Sequence, residues 1–199
     1  MSASFEKFMA QYKQTGSEKA DGYSRDVFIG LEPHEKEAVF VILKTELPWS
    51  AGWLFLLDPD NAINTAKAEL QRLRGDPYAA AYLLQVQFLS YTGDLQYQQD
   101  MVDDYDTYAD YLKPQVIRTL WSTPGSKNVT ALFARVICEE ADPDTRASAS
   151  IGFLRALNVP HHGAEEKSDY DRLYAQLRSN DPESRRQAID EIRERQRAT

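Results

Sequence analysis

The sequence predicts an all-α fold, built from stacked antiparallel helix pairs that form either an α-solenoid or an irregular helical bundle. Apolar residues recur at i, i+3, i+4 and i+7 along most of the chain, as they do over Val129–Ile137. Asp-Pro pairs stand in front of several of these stripes, where Asp caps a helix and Pro fits its first turn. The alternation of apolar and polar residues that is typical of strands is hard to find.

The individual elements follow from these stripes and from the Pro and Gly residues between them. Helices are predicted over residues 3–14, 33–46, 48–57, 59–74, 77–92, 95–111, 114–122, 126–140, 143–157, 168–178 and 182–196. Loops are predicted over residues 15–32, 93–94, 123–125 and 158–167. Because most of these connections are short, we expect consecutive helices to pack against one another.

Each Asp-Pro pair predicts the start of a helix. The four pairs are Asp58-Pro59, Asp76-Pro77, Asp142-Pro143 and Asp181-Pro182. An Asp side chain at this position accepts a hydrogen bond from a backbone N–H that has no partner inside the helix. Its negative charge also suits the positive end of the helix dipole.

Two of these starts resemble each other. Residues 142–149 and 181–188 both read Asp-Pro-acid-Ser/Thr-Arg-x-x-Ala, 39 residues apart, and a Leu/Ile stripe follows each. The pattern is similar to the second helix of HEAT-like repeats. The resemblance implies a HEAT-like α-solenoid, in which Asp caps the helix, Arg lies on its polar side and Ala packs at a helix crossing. It is clearest over 126–196, weaker over 33–92 and lost over 95–122, so a plain helical bundle stays open.

Length and composition predict one globular domain over residues 1–199. Hydrophobic residues make up 42% of the chain and charged residues 27%, which is too apolar for disorder. The single cysteine, Cys138, favours a reducing compartment. No signal peptide or membrane-spanning run is visible, so we expect a cytoplasmic protein without a membrane partner. The net charge of −8 disfavours nucleic-acid binding and suits a basic protein partner.

The sequence contains none of the common catalytic motifs. It has no Walker loop, G-x-S-x-G, H-E-x-x-H or C-x-x-C, so we expect no catalytic residue, no metal site and no cofactor. His161-His162 is the one histidine cluster, and Glu165, Glu166 and Asp169 are near enough in sequence to complete a metal site. An exposed polar loop is the preferred interpretation. Cys138 is predicted to be a small buried residue on an apolar helix.

Two further groups of residues are predicted to be structural. Trp49, Trp53 and Trp121 lie beside or after prolines and are expected to be packing anchors between helices. The arginines near the C-terminus alternate with acids, which favours a solvated, self-paired terminal helix over a nucleic-acid patch. The expected pairs are Arg186–Asp190, Glu191–Arg195 and Glu194–Arg197.

An acidic segment from Asp94 to Leu112 carries six aspartates and neither Lys nor Arg. On a continuous helix, its apolar and aromatic residues share one face and its aspartates at 103, 106 and 110 the opposite face, where like charges repel. A basic partner on that face would relieve the repulsion, and tyrosine is common at interfaces. The predicted partner-binding residues are Asp100, Asp103, Asp104, Asp106, Asp110, Tyr97 and Tyr111. The alternative is a solvated face on an acidic protein.

These features predict a non-catalytic protein that binds another protein, most simply a basic toxin domain. A short acidic helical chain with degenerate repeats resembles the HEAT-like immunity proteins of bacterial polymorphic toxin systems. That resemblance implies a protein that neutralises its cognate toxin. A HEAT-like scaffold or adaptor is the second hypothesis. A HEAT-like DNA glycosylase or lyase is the third, and it would need an acid beside an aromatic residue such as Trp121.

Overall fold

The protein is all-helical. The computed structural model describes residues 1–16 and 22–198, and within these residues every regular element is a helix and no β-strand occurs. The predicted all-α class is therefore confirmed. The α-helices of this described part are α1 Ala3–Tyr12, α2 Pro33–Thr45, α3 Ala51–Leu57, α4 Pro59–Leu73, α5 Ala81–Thr92, α6 Gln96–Asp103, α7 Lys113–Trp121, α8 Lys127–Glu139, α9 Pro143–Ala156, α10 Ala164–Leu177 and α11 Pro182–Ala198. Short 3₁₀ helices occupy Arg25–Phe28 and Tyr105–Thr107.

The chain divides into two compact units, Met1–Asp94 and Leu95–Thr199. The first unit contains α1 to α5 and the second contains α6 to α11. Two compact units are able to unfold together or separately, so a single domain over residues 1–199 stays a prediction.

An aromatic cluster forms part of the core of the first unit. The ring of Phe8, from α1, stacks on Tyr23 at a centroid distance of 4.8 Å. Phe28 of the 3₁₀ helix stacks on Trp53 of α3 at 5.3 Å. Such pairs bury large apolar areas and add stabilisation through their geometry. Trp53 is thus a packing residue, as predicted, and it joins α3 to the 3₁₀ helix of the predicted loop 15–32, of which residues 17–21 lie outside the described part.

A buried carboxylate fixes the N-terminus of α2. Glu35 is 1% exposed, and its oxygens accept hydrogen bonds from the backbone N–H and hydroxyl of Ser2, both at 2.6 Å. The backbone N–H of Glu32 donates to the same carboxylate at 3.0 Å. The Ser2 hydroxyl is the main reason that the pKa of Glu35 falls to about 2. Glu35 therefore ties α1 to α2 as an anion.

Three of the four Asp-Pro pairs start helices. Asp58, Asp142 and Asp181 accept hydrogen bonds from Asn61, Thr145 and Ser184 respectively, at 3.2, 2.8 and 3.1 Å, and a proline follows each cap. The prediction for Asp76-Pro77 is wrong. Asp76 accepts from the N–H of Tyr78 in a turn, and α5 starts later, at Ala81.

In the second unit, α9 packs against α7, α8 and α10, while α11 packs against α10 and α8. Phe133 of α8 and Phe153 of α9 are fully buried. Gly152 makes this packing possible, because a Cβ there would lie 2.7 Å from Trp121 and 2.8 Å from Phe133. No side chain fits at this crossing, which is why a glycine stands in the middle of α9.

The two resembling segments make equivalent contacts. Arg146 donates to the backbone carbonyl of Glu140 at 2.9 Å, and Arg185 donates to that of Ser179 at 2.8 Å, in each case six residues upstream. Ala149 and Ala188, which match in the sequence alignment of the two segments, are both fully buried. The Nε atoms of both arginines are buried without a hydrogen-bond partner among the described residues. The repeat is thus present in the contacts as well as in the sequence.

The arginines of this repeat differ from the prediction, which placed them on the polar side of the helix. Arg146 and Arg185 are only 7% and 6% exposed. Arg146 reaches Asn180 at 3.3 Å, and Arg185 reaches the carbonyl of Cys138 at 3.0 Å. Both are buried because they satisfy backbone carbonyls at the ends of neighbouring helices, which would otherwise lack partners.

Ion pairs join α10 to α11. Arg172 lies 2.7 Å from Asp169 and 2.6 Å from Glu191, and Arg195 contacts the same two acids. Hydrogen bonds from Arg195 and then Arg172 hold the pKa of Asp169 at about 2. The predicted Glu191–Arg195 pair forms, whereas Arg186 lies 3.8 Å from Glu183 rather than pairing with Asp190.

One predicted packing anchor is wrong. Trp49 is 63% exposed, so its ring does not pack between helices. Its neighbour Pro48 is buried instead, and α3 begins at Ala51 rather than at residue 48.

Candidate functional site: an acidic segment and a basic cleft

The acidic segment, residues 94–112, is not the continuous helix that its sequence predicts. Helix α6 ends at Asp103, a single 3₁₀ turn follows over Tyr105–Thr107, and residues 108–112 form an irregular stretch that ends in a turn. Aspartate is a poor residue for a helix interior, and its side chain favours turns. Asp103, Asp106 and Asp110 therefore do not share the face of one continuous helix.

The apolar side of the segment is buried as predicted. Met101, Tyr105, Tyr108 and Leu112 are all less than a tenth exposed, although they lie on a helix, a 3₁₀ turn and a loop. Burial is the main reason that the pKa of the Tyr105 hydroxyl is raised well above its usual range. This row of buried residues orients the segment, so that the aspartates between them face outward.

Polar contacts hold the segment on the loop before α8. Gln98 is buried, and its side-chain amide donates to the Thr123 hydroxyl at 2.7 Å and to the Pro124 carbonyl at 2.6 Å. The amide of Asn128, on α8, donates to the side-chain oxygen of Gln99. These hydrogen bonds hold the acidic segment in one conformation before a partner binds.

Two of the predicted aspartates already have basic partners inside the protein. Asp106 accepts two hydrogen bonds from the Arg135 guanidinium, at 2.9 and 3.0 Å, and this guanidinium also lies 5.8 Å from the centroid of the Tyr105 ring. Asp110 lies 2.8 Å from the Lys113 ammonium. Neither cation belongs to the predicted segment, so the sequence of the segment overstates its free negative charge.

The other predicted residues keep more of their charge or their exposed area. Asp103 is exposed and accepts a hydrogen bond from the neutral Gln99 amide at 2.6 Å, while Asp100 accepts from Gln96 at 3.0 Å. Asp104 is half-buried. Tyr111 is 58% exposed, whereas Tyr97 is half-buried and a weaker contact candidate.

Leu95, which the sequence did not single out, is 52% exposed at the start of the segment. Its signal was present in the sequence, as a large apolar residue between polar ones. The segment thus exposes an apolar side chain, a tyrosine and acids, residue types that are common in protein–protein contact surfaces.

A second feature was missed by sequence reasoning. An open cleft of about 890 Å³ lies in the second unit, between the end of α7, the start of α8 and the end of α9, and Arg193 of α11 completes it. Its basic residues are Lys127, Arg155 and Arg193, and no Asp or Glu lines it. We refer to it as the basic cleft. A base-excising enzyme of the third hypothesis would need an acid beside Trp121, and this lining supplies none.

The sequence held one signal for the basic cleft. Lys127 and Arg155 have no acid three or four residues away, unlike most cations of this chain. None of the three cleft cations forms an ion pair with a carboxylate of residues 1–16 or 22–198. Their convergence depends on how three helices pack, which periodicity does not show.

Trp121 and the loop after it form one wall of the basic cleft. The Trp121 ring lies against the Gly152 backbone, and its indole nitrogen is buried without a hydrogen-bond partner among the described residues. The hydroxyl of Ser126 caps α8 by accepting from the N–H of Val129 at 3.2 Å. On the opposite wall, Asn158 has a φ of 49° because it ends α9 in a Schellman turn, with Val159 N–H bonded to the Leu154 carbonyl.

The rings of the histidine loop lie near one another in tilted arrangements. His161 lies 4.1 Å from His162 and 5.4 Å from Tyr170, measured between ring centroids. Asp169 is occupied by Arg172 and Arg195, and Glu166 accepts from the Gly163 N–H at 2.9 Å. Across the described residues, no group of three or more His, Cys, Asp or Glu side chains is arranged to hold a metal ion.

Cys138 is half-buried rather than fully buried as predicted. Burial is the main reason that the pKa of its thiol is raised, so the thiolate is disfavoured at neutral pH. Its backbone carbonyl, not its sulfur, takes part in the repeat by accepting from Arg185.

The chain matches no protein-family model, and no curated protein or solved structure is significantly similar to it. In the part of the chain that the structure describes, every helix is too short or too polar to cross a bilayer.

Proposed function

We propose that the chain is a non-catalytic protein-binding protein, and specifically an immunity protein that binds and neutralises a basic bacterial toxin domain through the acidic segment. The observation that carries the proposal is that Leu95, Asp103 and Tyr111, all in the acidic segment, are exposed. Large side chains of this kind supply contact area, and the acid supplies steering toward a basic surface. The net charge of −8 adds long-range attraction.

The architecture is consistent with this role. The equivalent contacts of Arg146 and Arg185 support kinship with HEAT-like repeats, whose helices commonly serve as binding surfaces. The acidic segment is held by Gln98 and Tyr105, so a partner would meet a surface that is already ordered. An inhibitor that is ordered in advance loses less entropy on binding.

A scaffold or adaptor is the second candidate, and exposed aromatic residues in the first unit favour it. Trp49 is 63% exposed and Tyr78 is 71% exposed. Both lie outside the acidic segment, so a second partner could bind there. The two candidates differ in whether the captured protein is toxic.

The first experiment uses the tagged chain to capture its partner from native cells, with the Asp103→Lys variant as the test. Asp103 pairs with no cation among residues 1–16 and 22–198, so its reversal changes the charge of the surface without breaking an ion pair of the described part. We expect the association rate to fall roughly tenfold for this reversal, and further when Asp106 and Asp110 are also reversed. Glu37→Lys, on an exposed face of the first unit, makes the same charge change elsewhere and should retain binding.

The captured partner decides between the candidates. An immunity protein requires that the partner arrest growth when expressed alone and that co-expression of this chain restore it. A partner that is harmless alone would favour the adaptor. Binding that Asp103→Lys and Tyr111→Ala leave unchanged, at both low and physiological salt, would remove the acidic segment from either function.

A further inference from the structure

The basic cleft is out of keeping with the rest of the molecule. The chain has 31 acidic and 23 basic residues, yet Lys127, Arg155 and Arg193 line one cleft without an acid. These cations belong to three different helices, and it is the packing of these helices that brings them to one cleft. Three like charges in one cleft repel one another, and an anion is the ligand that would relieve this repulsion.

We infer that the basic cleft binds a phosphate-bearing organic anion of about nucleotide size. Two arginines and a lysine match a phosphate dianion, because a guanidinium forms two parallel hydrogen bonds with phosphate and lysine adds a point charge. A single carboxylate would neutralise one of the three. The Ser126 hydroxyl uses its oxygen to cap α8, so its proton remains to be donated to the ligand.

The apolar residues that line the cleft indicate that its ligand also has an organic, apolar part. Trp121, Pro124 and Leu157 line the cleft together with the cations, and each keeps exposed surface. The volume of about 890 Å³ lies within the range of roughly 300–1,000 Å³ that is usual for small-molecule sites. A ligand of this size places its phosphate by the cations and its apolar body by these side chains.

The cleft is also built to keep its shape. Gln98 holds the loop at Thr123 and Pro124, which line the cleft, and Gly152 lets Trp121 sit against α9. A site that is already formed in the free protein loses less conformational entropy when the ligand binds. This inference goes beyond the proposed function, because none of the predicted partner-binding aspartates lines the cleft.

The test is calorimetric titration of the full chain with AMP and ADP, with adenosine, inorganic phosphate and citrate as comparison ligands. We expect saturable binding of AMP or ADP at one site and no binding of adenosine. We expect inorganic phosphate to bind more weakly than AMP, because it lacks the apolar body. Citrate carries similar charge without phosphate and should bind more weakly than ADP.

Charge-reversal variants locate the binding. Arg155→Glu and Arg193→Glu should each weaken ADP binding by about tenfold or more, which corresponds to roughly 1.4 kcal/mol or more. Arg118→Glu is the matched control, since Arg118 is an exposed arginine of α7 that does not line the cleft. Far-UV circular dichroism shows whether each variant is folded, and Lys127→Gln provides a milder second test.

Three outcomes would overturn the inference. One is the absence of saturable binding by AMP and ADP, including a result in which an oligonucleotide binds but the mononucleotides do not. Another is equal loss of binding in Arg155→Glu and Arg118→Glu, which would place the ligand elsewhere. The last is binding of citrate or inorganic phosphate as tightly as ADP.

Discussion

Glu35 is a single residue on which the start of the chain depends. Its carboxylate accepts hydrogen bonds from the backbone and hydroxyl of Ser2 and from the backbone of Glu32. These donors favour the charged form, so the pKa of Glu35 in the folded protein is about 2, below the 4.5 of an ordinary glutamate. Its contribution to stability is therefore fully present above about pH 4.5 and is lost as the pH falls toward 2.

We expect the Glu35→Gln variant to be less stable than the original chain at pH 7 and to depend less on pH below 4.5. Glutamine has the same shape but replaces one acceptor oxygen with a donor, which faces donors in this site. Urea unfolding at pH 7, 4 and 3 measures both effects.

The matched control is Glu37→Gln, which changes an exposed glutamate on the same helix. It should leave stability and its pH dependence close to those of the original chain. An equal effect of the two substitutions at pH 7 would show that the Ser2 contacts do not stabilise the fold.

At the scale of the element, Arg146 and Arg185 join the ends of neighbouring helices. Each donates to a carbonyl six residues upstream, and each also reaches a group more distant in sequence, Asn180 for Arg146 and Cys138 for Arg185. The carbonyls near the ends of α8 and α10 that these arginines reach are therefore satisfied by side chains of the repeat.

Replacing either arginine with lysine should lower the free energy of unfolding by roughly 1–3 kcal/mol, because a lysine ammonium cannot reproduce the fork of donors. Chemical denaturation measures the change. Arg186→Lys is the control, since Arg186 is exposed on the same helix and its side chain lies 3.8 Å from Glu183. If the free energy of unfolding falls equally in all three variants, the buried arginine contacts stabilise the fold no more than an exposed arginine does.

The helices themselves were largely predictable, because their signals are local. Asp142 and Asp181 cap helices as their sequence indicates, through contacts with residues three positions later. Asp76 carries the same signal and starts a turn, since an Asp-Pro pair favours turns and helix starts alike. The burial of Arg185 was not predictable, because one of its acceptors is the Cys138 carbonyl, 47 residues away.

The candidate site was predictable in part. The exposed Asp103 and Tyr111 and the buried face of the acidic segment follow from the pattern of residues 94–112. The break of the helix after Asp103 has a local signal in its aspartates, whereas the neutralisation of Asp106 by Arg135 depends on packing against α8. The basic cleft also required the packed helices, because its cations come from distant parts of the chain.

At the scale of the whole molecule, the predicted single domain has a measurable consequence. The two compact units, Met1–Asp94 and Leu95–Thr199, would then unfold in one cooperative step. We expect the slowest-exchanging amides of α2 and of α8 to have the same opening free energy at each urea concentration. Native-state hydrogen exchange measures these free energies for both helices. Two different limiting values, one for each unit, would show two domains.

Arg135 competes with any basic partner for the carboxylate of Asp106. One terminal nitrogen of its guanidinium already donates to both carboxylate oxygens of Asp106. A foreign cation gains this carboxylate only by displacing Arg135, and the displaced guanidinium then adds a positive charge that repels it. A partner that offers only an arginine to Asp106 replaces the Arg135 contact with an equivalent one and gains no binding free energy there. Discrimination among basic proteins then falls to the exposed Asp103, which accepts a hydrogen bond from the neutral amide of Gln99.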